Sequence, residues 1–182
     1  MPLLRIFEYP DPVLKTRAEP VANLTGDVAK LVENMAETMY AAPGIGLAAP
    51  QVGVSRRIIV LDVRAADGEE GRGLLKLVNP EIVEREGEIV WEEGCLSVPD
   101  LTTPVTRARR IVVHAWTPDE KEVDVEADEL LAVALQHEID HLDGTLLVDR
   151  LSRLKRDLYR ARRKKLERQG RKGTSGTKPL LI

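Results

Sequence analysis

The sequence predicts an α+β fold in which antiparallel β-sheets pack around a central helix that bears an HExxH motif, with a C-terminal helix beyond it. Two observations favour this class. Several segments rich in Val and Ile fold back on short polar turns, which is typical of antiparallel pairing. The segment that contains the motif is helical in its spacing and apolar enough to be buried at the centre.

Length and composition indicate one self-standing domain. The chain has 182 residues, of which 43% are hydrophobic and 31% charged, enough to bury a core without oligomerisation. Its one cysteine excludes an internal disulfide, and it has no window of 18 apolar residues to span a membrane. The N-terminus lacks the pattern of a signal peptide. We therefore expect a cytoplasmic protein with one domain over residues 1–168 and a flexible tail over residues 169–182.

The first elements are predicted to be a helix and then strands. Residues 27–40 place apolar side chains at helical spacing, and Thr25 or Asp27 can cap this helix. The Gly- and Pro-rich stretch AAPGIGLAAPQVG ends it, and the β-branched run RRIIVLDV then predicts a strand. Residues 74–93 and 109–127 each resemble two strands folded back on a turn, at REGE and at TPDEK.

Two helices complete the predicted fold. The run ELLAVALQHEIDHL predicts a buried helix with Asp128 as candidate N-cap and Gly144 just past its end. Residues 151–168 form a last helix, on which Leu154 and Leu158 belong to an imperfect apolar face that can cover the core.

Charge is distributed unevenly along the chain. Residues 151–182 hold 12 Lys and Arg against 2 Asp and Glu, whereas residues 1–150 hold 15 against 28. The body is therefore acidic and the C-terminal end basic. Such a basic run is either a solvated face or a contact for a polyanion.

The letters HEIDH supply the elements of a metal site. His137 and His141 lie one turn apart on one helix face, so both imidazoles can reach one ion. Glu138 stands beside them, within range of a bound water. Histidines and acids in an apolar helix are costly to bury without a function. The alternative is that the two histidines only form hydrogen bonds in the core.

A catalytic metal generally takes three side-chain ligands, so a third must come from elsewhere in the chain. The candidates are Asp143, Asp149 and Asp157 downstream, and His114 and Cys95 upstream. Cys95 is favoured because a thiolate binds strongly to metals that also accept imidazole, and Gly94 lets the backbone approach the ion. The alternative is that Cys95 is a small buried hydrophobic residue.

Three motifs resemble those of a known family. GIGLAAPQ at 44–51, EGCLS at 93–97 and QHEIDH at 136–141 occur in the order and spacing of the peptide deformylases. The chain looks like their ordinary bacterial form from residue 1 to about residue 168. The resemblance implies a metal-dependent hydrolase that removes the N-formyl group from the N-terminal formyl-methionine of newly synthesised polypeptides and releases formate.

The resemblance also implies a ligand set. Cys95, His137 and His141 would hold one Fe²⁺ per chain, with a water as fourth ligand, and Zn²⁺, Ni²⁺ or Co²⁺ can substitute. Ligand chemistry alone would have suggested zinc. Glu93 matches a position at the rim of the site, although a structural pairing with Arg107 is the interpretation that we favour.

Catalytic roles follow from the same resemblance. Glu138 would accept a proton from the attacking water and return one to the leaving amine. The side-chain amide of Gln51 and the backbone N–H of Leu96 would stabilise the negative oxygen of the tetrahedral intermediate.

The substrate would be held by an apolar pocket and by backbone pairing. Leu130, Val133 and Ala134 share the helix face of the first histidine and would line a pocket for the methionine side chain. Ile45 and Gly46 match family positions that pair with the substrate backbone as an added strand would.

The implied partners are the formyl-methionyl nascent chain and the ribosome near its exit tunnel, which the basic helix would contact. The candidate contacts are Arg153, Lys155, Arg156, Arg160, Arg162, Arg163, Lys164 and Lys165. The alternative is a solvated helix without a partner.

Two rival functions remain at this point. A zincin-type metallopeptidase shares HExxH but takes its third ligand from downstream of the helix, and the upstream EGCLS and GIGLAAPQ motifs argue against it. A ribosome- or RNA-binding module would have a degenerate site, whereas every ligand and the general base are present here.

Overall fold

The computed structural model describes residues 2–63 and 73–168, and the predicted tail, residues 169–182, lies outside them. The elements are α1 (Gly26–Ala41), β1 (Gly46–Ala48), β2 (Ile58–Leu61), β3 (Leu75–Glu86), β4 (Ile89–Cys95), β5 (Val98–Arg107), β6 (Arg110–Trp116), β7 (Glu122–Asp128), α2 (Glu129–Leu142) and α3 (Arg153–Arg168). Short 3₁₀ turns occupy Pro12–Lys15, Ala49–Val52 and Leu147–Arg150. The architecture is the predicted α+β arrangement.

The strands form two antiparallel sheets. The larger sheet has the order β1-β2-β3-β6-β7, so β1 lies at one edge. The strands β4 and β5 form a separate two-stranded sheet. The predicted hairpin over residues 109–127 is confirmed, because β6 and β7 pair directly across the turn after Trp116.

The other predicted hairpin, over residues 74–93, is wrong. The chain does turn at Gly87, which has the left-handed φ of 64°, but β3 and β4 enter different sheets. Next to this turn β3 pairs with β6 along residues 81–86, whereas β2 pairs only with the other end of β3, at residues 75–78. The strand β4 pairs with β5 instead of β3, and Cys95 at its C-terminal end lies against His141 of α2.

The central helix α2 packs on the inner face of the larger sheet, as its apolar sequence predicts. Its residues Ala132, Val133 and Leu135 are fully buried in one cluster with side chains of β2, β3, β6 and β7. The helix begins after Asp128 as expected, although that side chain makes no capping hydrogen bond within the described residues. Gly144, with φ 72°, follows its end.

Two smaller clusters flank this core and bring other segments to α2. The helix α1 packs Val28, Val32 and Met35 against β1 and β2. A third cluster joins the start of the chain, the two-stranded sheet and α3, and it includes Cys95. The helix α2 thus contacts β1, and near its C-terminal end His141 contacts Cys95 at the end of β4.

The predicted inner face of α3 is also wrong. Leu154 and Leu158 are 70% and 62% exposed, whereas Tyr159 and Arg163 are buried. The buried pair finds polar partners: Tyr159 Oη donates to the Pro99 carbonyl, and Arg163 Nη2 lies 2.5 Å from Glu8 Oε2. Among the described residues, no helix combines the length and apolarity needed to cross a bilayer.

Candidate metal centre

The helix α2 presents two imidazoles on one face at its buried C-terminal half. His137 and His141 are 3% and 1% exposed, and their ring centroids are 5.0 Å apart. Their spacing of four residues places them one turn apart. Burial, followed by the charge of His137, lowers the pKa of His141 well below its usual value. The ring is therefore held in the neutral form that binds metals.

Cys95 reaches these histidines from the end of β4. Leu96 and Ser97 form the turn into β5, and the backbone N–H groups of Ser97 and Val98 point at the Cys95 sulfur. Its Sγ lies 3.3 Å from Nε2 of His141. The ligand atoms of Cys95, His137 and His141 all lie within 4.8 Å of one another. The turn that contains Cys95 therefore does approach the helix, and of the candidate third ligands Cys95 is the one that lies beside both histidines.

The donor set fits a metal ion. His137 Nε2 is buried, and no hydrogen-bond partner for it exists among the described residues. Burial raises the pKa of the Cys95 thiol, so a thiolate at this position needs a neighbouring cation. A buried polar atom without a partner costs free energy, and a cation shared by the three donors removes that cost.

The other candidate ligands are engaged elsewhere. His114 Nδ1 lies 2.7 Å from Asp124 on the outer side of the sheet. Asp143 pairs with Arg57 at 2.8 Å, and Asp149 pairs with Lys15. Asp157 lies on α3 and is exposed to solvent. These residues do not approach the histidine pair.

Glu93 is buried beside the metal site instead of lying at its rim. Its Oε2 accepts a hydrogen bond from His137 Nδ1 at 2.8 Å, and Arg107 contacts both carboxylate oxygens at 2.8 and 2.9 Å. Burial alone would raise the pKa of Glu93, but the hydrogen bonds from Arg107 and His137 outweigh it and lower the pKa to about 2. The predicted pairing with Arg107 is confirmed, and the contact with His137 was missed.

That contact orients a ligand. Because Nδ1 of His137 donates to a carboxylate, its Nε2 keeps a lone pair directed at the other two donors. Arg107 also binds Asp140 at 2.6 Å, so the carboxylate of Glu93 is itself held in place. Strand alternation was the available signal: Glu93 and Cys95 are two residues apart on β4 and so share a face.

Glu138 is the most isolated acid of the site. It is 0% exposed, and neither carboxylate oxygen has a hydrogen-bond partner within residues 2–63 and 73–168. Burial, reinforced by the charge of Glu93, raises its pKa well above the usual value. A carboxylate in this state is a strong proton acceptor.

Gln51 lies in the interior and not on a surface loop. Its Oε1 accepts from the backbone N–H of Ala48 at 2.7 Å, and its Nε2 donates to Ser97 Oγ at 3.1 Å. The same Nε2 is 3.9 Å from the Cys95 sulfur. The amide donor therefore faces the metal site beside the turn that contains Leu96. Ser97, which sequence reasoning missed, joins the two segments.

The predicted substrate residues divide into two groups. Ile45 and Leu130 line an open cavity of about 310 Å³ beside the N-terminus of α2. Val133 and Ala134 are fully buried in the core cluster and are not among the residues lining that cavity. Gly46 begins β1 and packs directly against the Glu138 side chain.

An α+β fold with a Cys-His-His donor set, and with a buried glutamate that has no hydrogen-bond partner in the described ranges, defines a metal-dependent hydrolase. The sequence model of the polypeptide deformylase family matches residues 3–157. The chain belongs to the peptide deformylase family. It is therefore a hydrolase that removes the N-formyl group from the formyl-methionine of newly synthesised polypeptides and releases formate.

Individual relatives agree over nearly the whole chain. A peptide deformylase of Thermodesulfovibrio yellowstonii is 54% identical over 160 residues, which cover 88% of this chain and 96% of the relative. A crystal structure of a peptide deformylase from Legionella pneumophila has a TM-score of 0.84 at 43% identity, covering 94% of this chain and 99% of that one. The enzyme from Ehrlichia chaffeensis in complex with actinonin has a TM-score of 0.86 at 40% identity, with 92% and 99% coverage.

These relationships settle the choice among the functions that the sequence left open. A zincin-type peptidase would take its third ligand downstream, whereas the sulfur that meets His141 comes from upstream. A binding module with a degenerate site would lack parts of the donor set, and the three donors converge here.

Proposed function

We propose that Cys95, His137 and His141 hold one Fe²⁺ per chain and that Glu138 is the general base and acid of deformylation. The observation that carries this proposal is the buried carboxylate of Glu138, which lies near three convergent donors and has no hydrogen-bond partner in the part of the chain that the structure describes. Gln51 Nε2 and the backbone N–H of Leu96 are the donors for the oxygen of the intermediate.

The reaction proceeds by addition of water to the formyl carbon and cleavage of its bond to nitrogen. When bound, the metal supplies an acidified water and polarises the formyl carbonyl. Glu138 accepts one proton from the attacking water as the new carbon–oxygen bond forms, and the amide of Gln51 donates to the former carbonyl oxygen. Glu138 then delivers its proton to the leaving nitrogen, so that formate and a free amine result.

The substrate binds beside β1 with its first side chain in an apolar pocket. We assign the backbone contacts to Ile45 and Gly46, because β1 is an edge strand to which an extended chain can add. Leu130 supports the pocket from α2, and Val133 and Ala134 form the buried layer behind it. An unbranched apolar side chain such as methionine suits this wall.

Three variants separate the roles of ligand, base and oxyanion donor. Cys95→Ser should lose both metal and turnover, because an alcohol is a poorer ligand than a thiolate. Glu138→Ala should keep the metal and lose about 10²- to 10⁴-fold in kcat. Gln51→Leu should keep the metal and lose about 10²- to 10³-fold.

The measurements are metal content per chain and steady-state hydrolysis of a short formyl-methionyl peptide. Loss of metal in Glu138→Ala equal to that in Cys95→Ser would show that Glu138 is a ligand. Full activity of Gln51→Leu would remove the amide from the mechanism.

The choice of iron rests on the family resemblance, and it can be tested through the redox chemistry of a ferrous ion bound to a thiolate. Such a pair is open to oxidation of both metal and sulfur. Protein purified without oxygen should contain iron and lose activity in air within hours, whereas the nickel-loaded protein should stay active. Iron-loaded protein that keeps its activity in air for many hours would contradict the assignment.

We also propose that α3 contacts the ribosome through its outer face. The exposed basic residues are Arg153, Lys155, Arg160, Arg162, Lys164 and Lys165. Arg163 is excluded from this face because it is buried against Glu8, and Arg156 is half-buried. A cluster of exposed cations binds phosphates in a salt-sensitive manner.

Deletion from residue 159 onward is a poor test, because it would remove the buried Tyr159. We instead compare Lys155→Gln/Arg162→Gln/Lys165→Gln with a matched control that removes the same charge elsewhere. The exposed control positions are Lys30, Arg56 and Lys121. The α3 variant should co-sediment less with ribosomes at low salt while hydrolysing a short peptide normally. Equal co-sedimentation of both variants would show that the charge is only solubilising.

The last two proposals are the extent of the catalytic domain and the cellular location of the protein. We propose that residues 1–168 are one catalytic domain and that the protein is cytoplasmic, because a reducing compartment keeps the Cys95 thiolate available to the metal. Limited proteolysis that releases residues 169–182 and leaves full activity would support the boundary. Cell fractionation would test the location.

A further inference from the structure

Gly46 is packed against the catalytic carboxylate more closely than a larger residue allows. A methyl group added at its Cα would overlap with Oε1 of Glu138 and would lie 2.9 Å from Cδ and 3.0 Å from Cγ of that side chain. Real Cβ atoms essentially never come closer than 3.0 Å to another heavy atom, so either the carboxylate or the strand would have to shift. Gly46 does not have a left-handed φ, so its backbone conformation does not require glycine.

The orientation of Glu138 has few other constraints. Its two oxygens are buried, and no hydrogen bond fixes either of them in the described part of the chain. The backbone of Gly46 is held by pairing with Leu61 of β2 inside a buried strand, so it forms a rigid wall. One face of the carboxylate rests on this wall.

We propose that Gly46 is a positioning residue for Glu138, in addition to any contact with substrate, and this inference rests on the proposed role of Glu138 as the base. Because Gly46 has no side chain, the Glu138 carboxylate can lie directly against the β1 backbone, and this contact fixes its distance from the proposed metal ligands. A general base must lie about 2.6 to 3.2 Å from the proton that it accepts, so the depth of this seat determines whether proton transfer occurs.

A methyl group at position 46 can be accommodated in two ways, by displacement of the Glu138 carboxylate or by displacement of β1, and the two have different effects on kcat and KM. The paired strand resists displacement, whereas the carboxylate is the free end of a flexible side chain and can swing away. Gly46→Ala should therefore move the base by about 1 Å, and a misplacement of this size can cost about 10²-fold in rate. If the strand moved instead, substrate pairing would suffer and KM would rise.

The first test compares kinetics of the metal-loaded Gly46→Ala protein with the parent. We expect kcat to fall about 10²-fold with KM changed less than about threefold. Gly26→Ala is the matched control, because Gly26 lies outside the site and no atom of residues 2–63 and 73–168 comes within 4 Å of a methyl group added there. An unchanged kcat, or a loss confined to KM, would overturn the proposal.

The second test asks whether the cost depends on the length of the acid. Glu138→Asp withdraws the carboxylate by one methylene group and so makes room for the methyl group. In the Glu138→Asp protein, Gly46→Ala should lower kcat by less than about fivefold. The contrast with the about 10²-fold loss in the parent would show that the two positions are strongly coupled. An equal cost in both backgrounds would show that Gly46 acts independently of Glu138. Failure of the base assignment itself would appear separately, as normal turnover in Glu138→Ala.

A structural measurement covers the case in which Gly46→Ala is too unstable to assay. If the clash with the carboxylate causes the instability, Gly46→Ala/Glu138→Ala should recover the melting temperature of Glu138→Ala. A double variant that melts as low as Gly46→Ala would place the strain in β1 and reject the proposal. For a stable variant, a crystal structure should show the carboxylate displaced while the pairing of β1 with β2 is retained.

Discussion

Glu93 holds the imidazole of His137 on one side and the guanidinium of Arg107 on the other, and all three side chains are buried. The position of Glu93 beside the donor set could have been inferred from the alternation of side chains along β4, because Cys95 lies two residues later and so on the same face. What the sequence did not specify is that β5 returns Arg107 to the same carboxylate, since that pairing depends on the register of the small sheet. Residue types thus predicted the ligands, and tertiary pairing determined how they are oriented.

We predict that Glu93→Gln lowers metal affinity about 10- to 100-fold, because His137 loses its carboxylate partner and Arg107 keeps only Asp140 as a counter-charge. Competition with a chelator measures the affinity directly. Glu92→Gln is the control, because Glu92 is the exposed neighbour on the opposite face of the strand. Equal affinity in the two variants would mean that Glu93 has no influence on the metal.

At the scale of elements, hydrophobic periodicity predicted each helix and most strands. It did not predict which face of α3 is buried, nor that β4 pairs with β5 instead of β3. The helix α3 has leucines on one side and Tyr159 with Arg163 on another, both pairs four residues apart. The second pair is buried because residues 8, 9 and 99 offer it an acid, a ring and a carbonyl. Those partners are distant in sequence, so local pattern could not reveal them.

This choice of face has a measurable consequence for stability. Tyr159→Ala should lower the free energy of unfolding by about 3 kcal/mol, because it removes a buried ring and its hydrogen bond to Pro99. Leu154→Ala should change it by less than about 0.5 kcal/mol, since that side chain is largely exposed. Denaturant midpoints of the two variants test this. A larger loss for Leu154→Ala would indicate that α3 packs by its leucines.

At the scale of the whole molecule, the metal donors come from two separately paired units. Cys95 belongs to the small sheet and its cluster, whereas both histidines belong to the helix of the main core. The HExxH motif predicted the two donors on the helix, and the single cysteine predicted the donor on the small sheet. An ion bound by all three proposed ligands would therefore join two parts of the fold as well as take part in the reaction.

Metal removal should accordingly lower the melting temperature. A ligand present at about 1,000 times its Kd stabilises the native state by about 4 kcal/mol, which corresponds to roughly 10 °C for a chain of this size. Calorimetry of metal-loaded and chelator-treated protein measures the difference. In Cys95→Ser the chelator should have little effect. Identical melting of the two wild-type samples would show that the ion does not tie the units together.

The edge strand β1 has a consequence for the breadth of substrates. It is three residues long, so it can align with only about 10 Å of extended chain. In the proposed binding mode, contacts along this edge are made with backbone groups that every sequence shares, and only the first side chain enters a pocket. This mode would let one enzyme act on many different proteins, provided that their first few residues are extended when they bind.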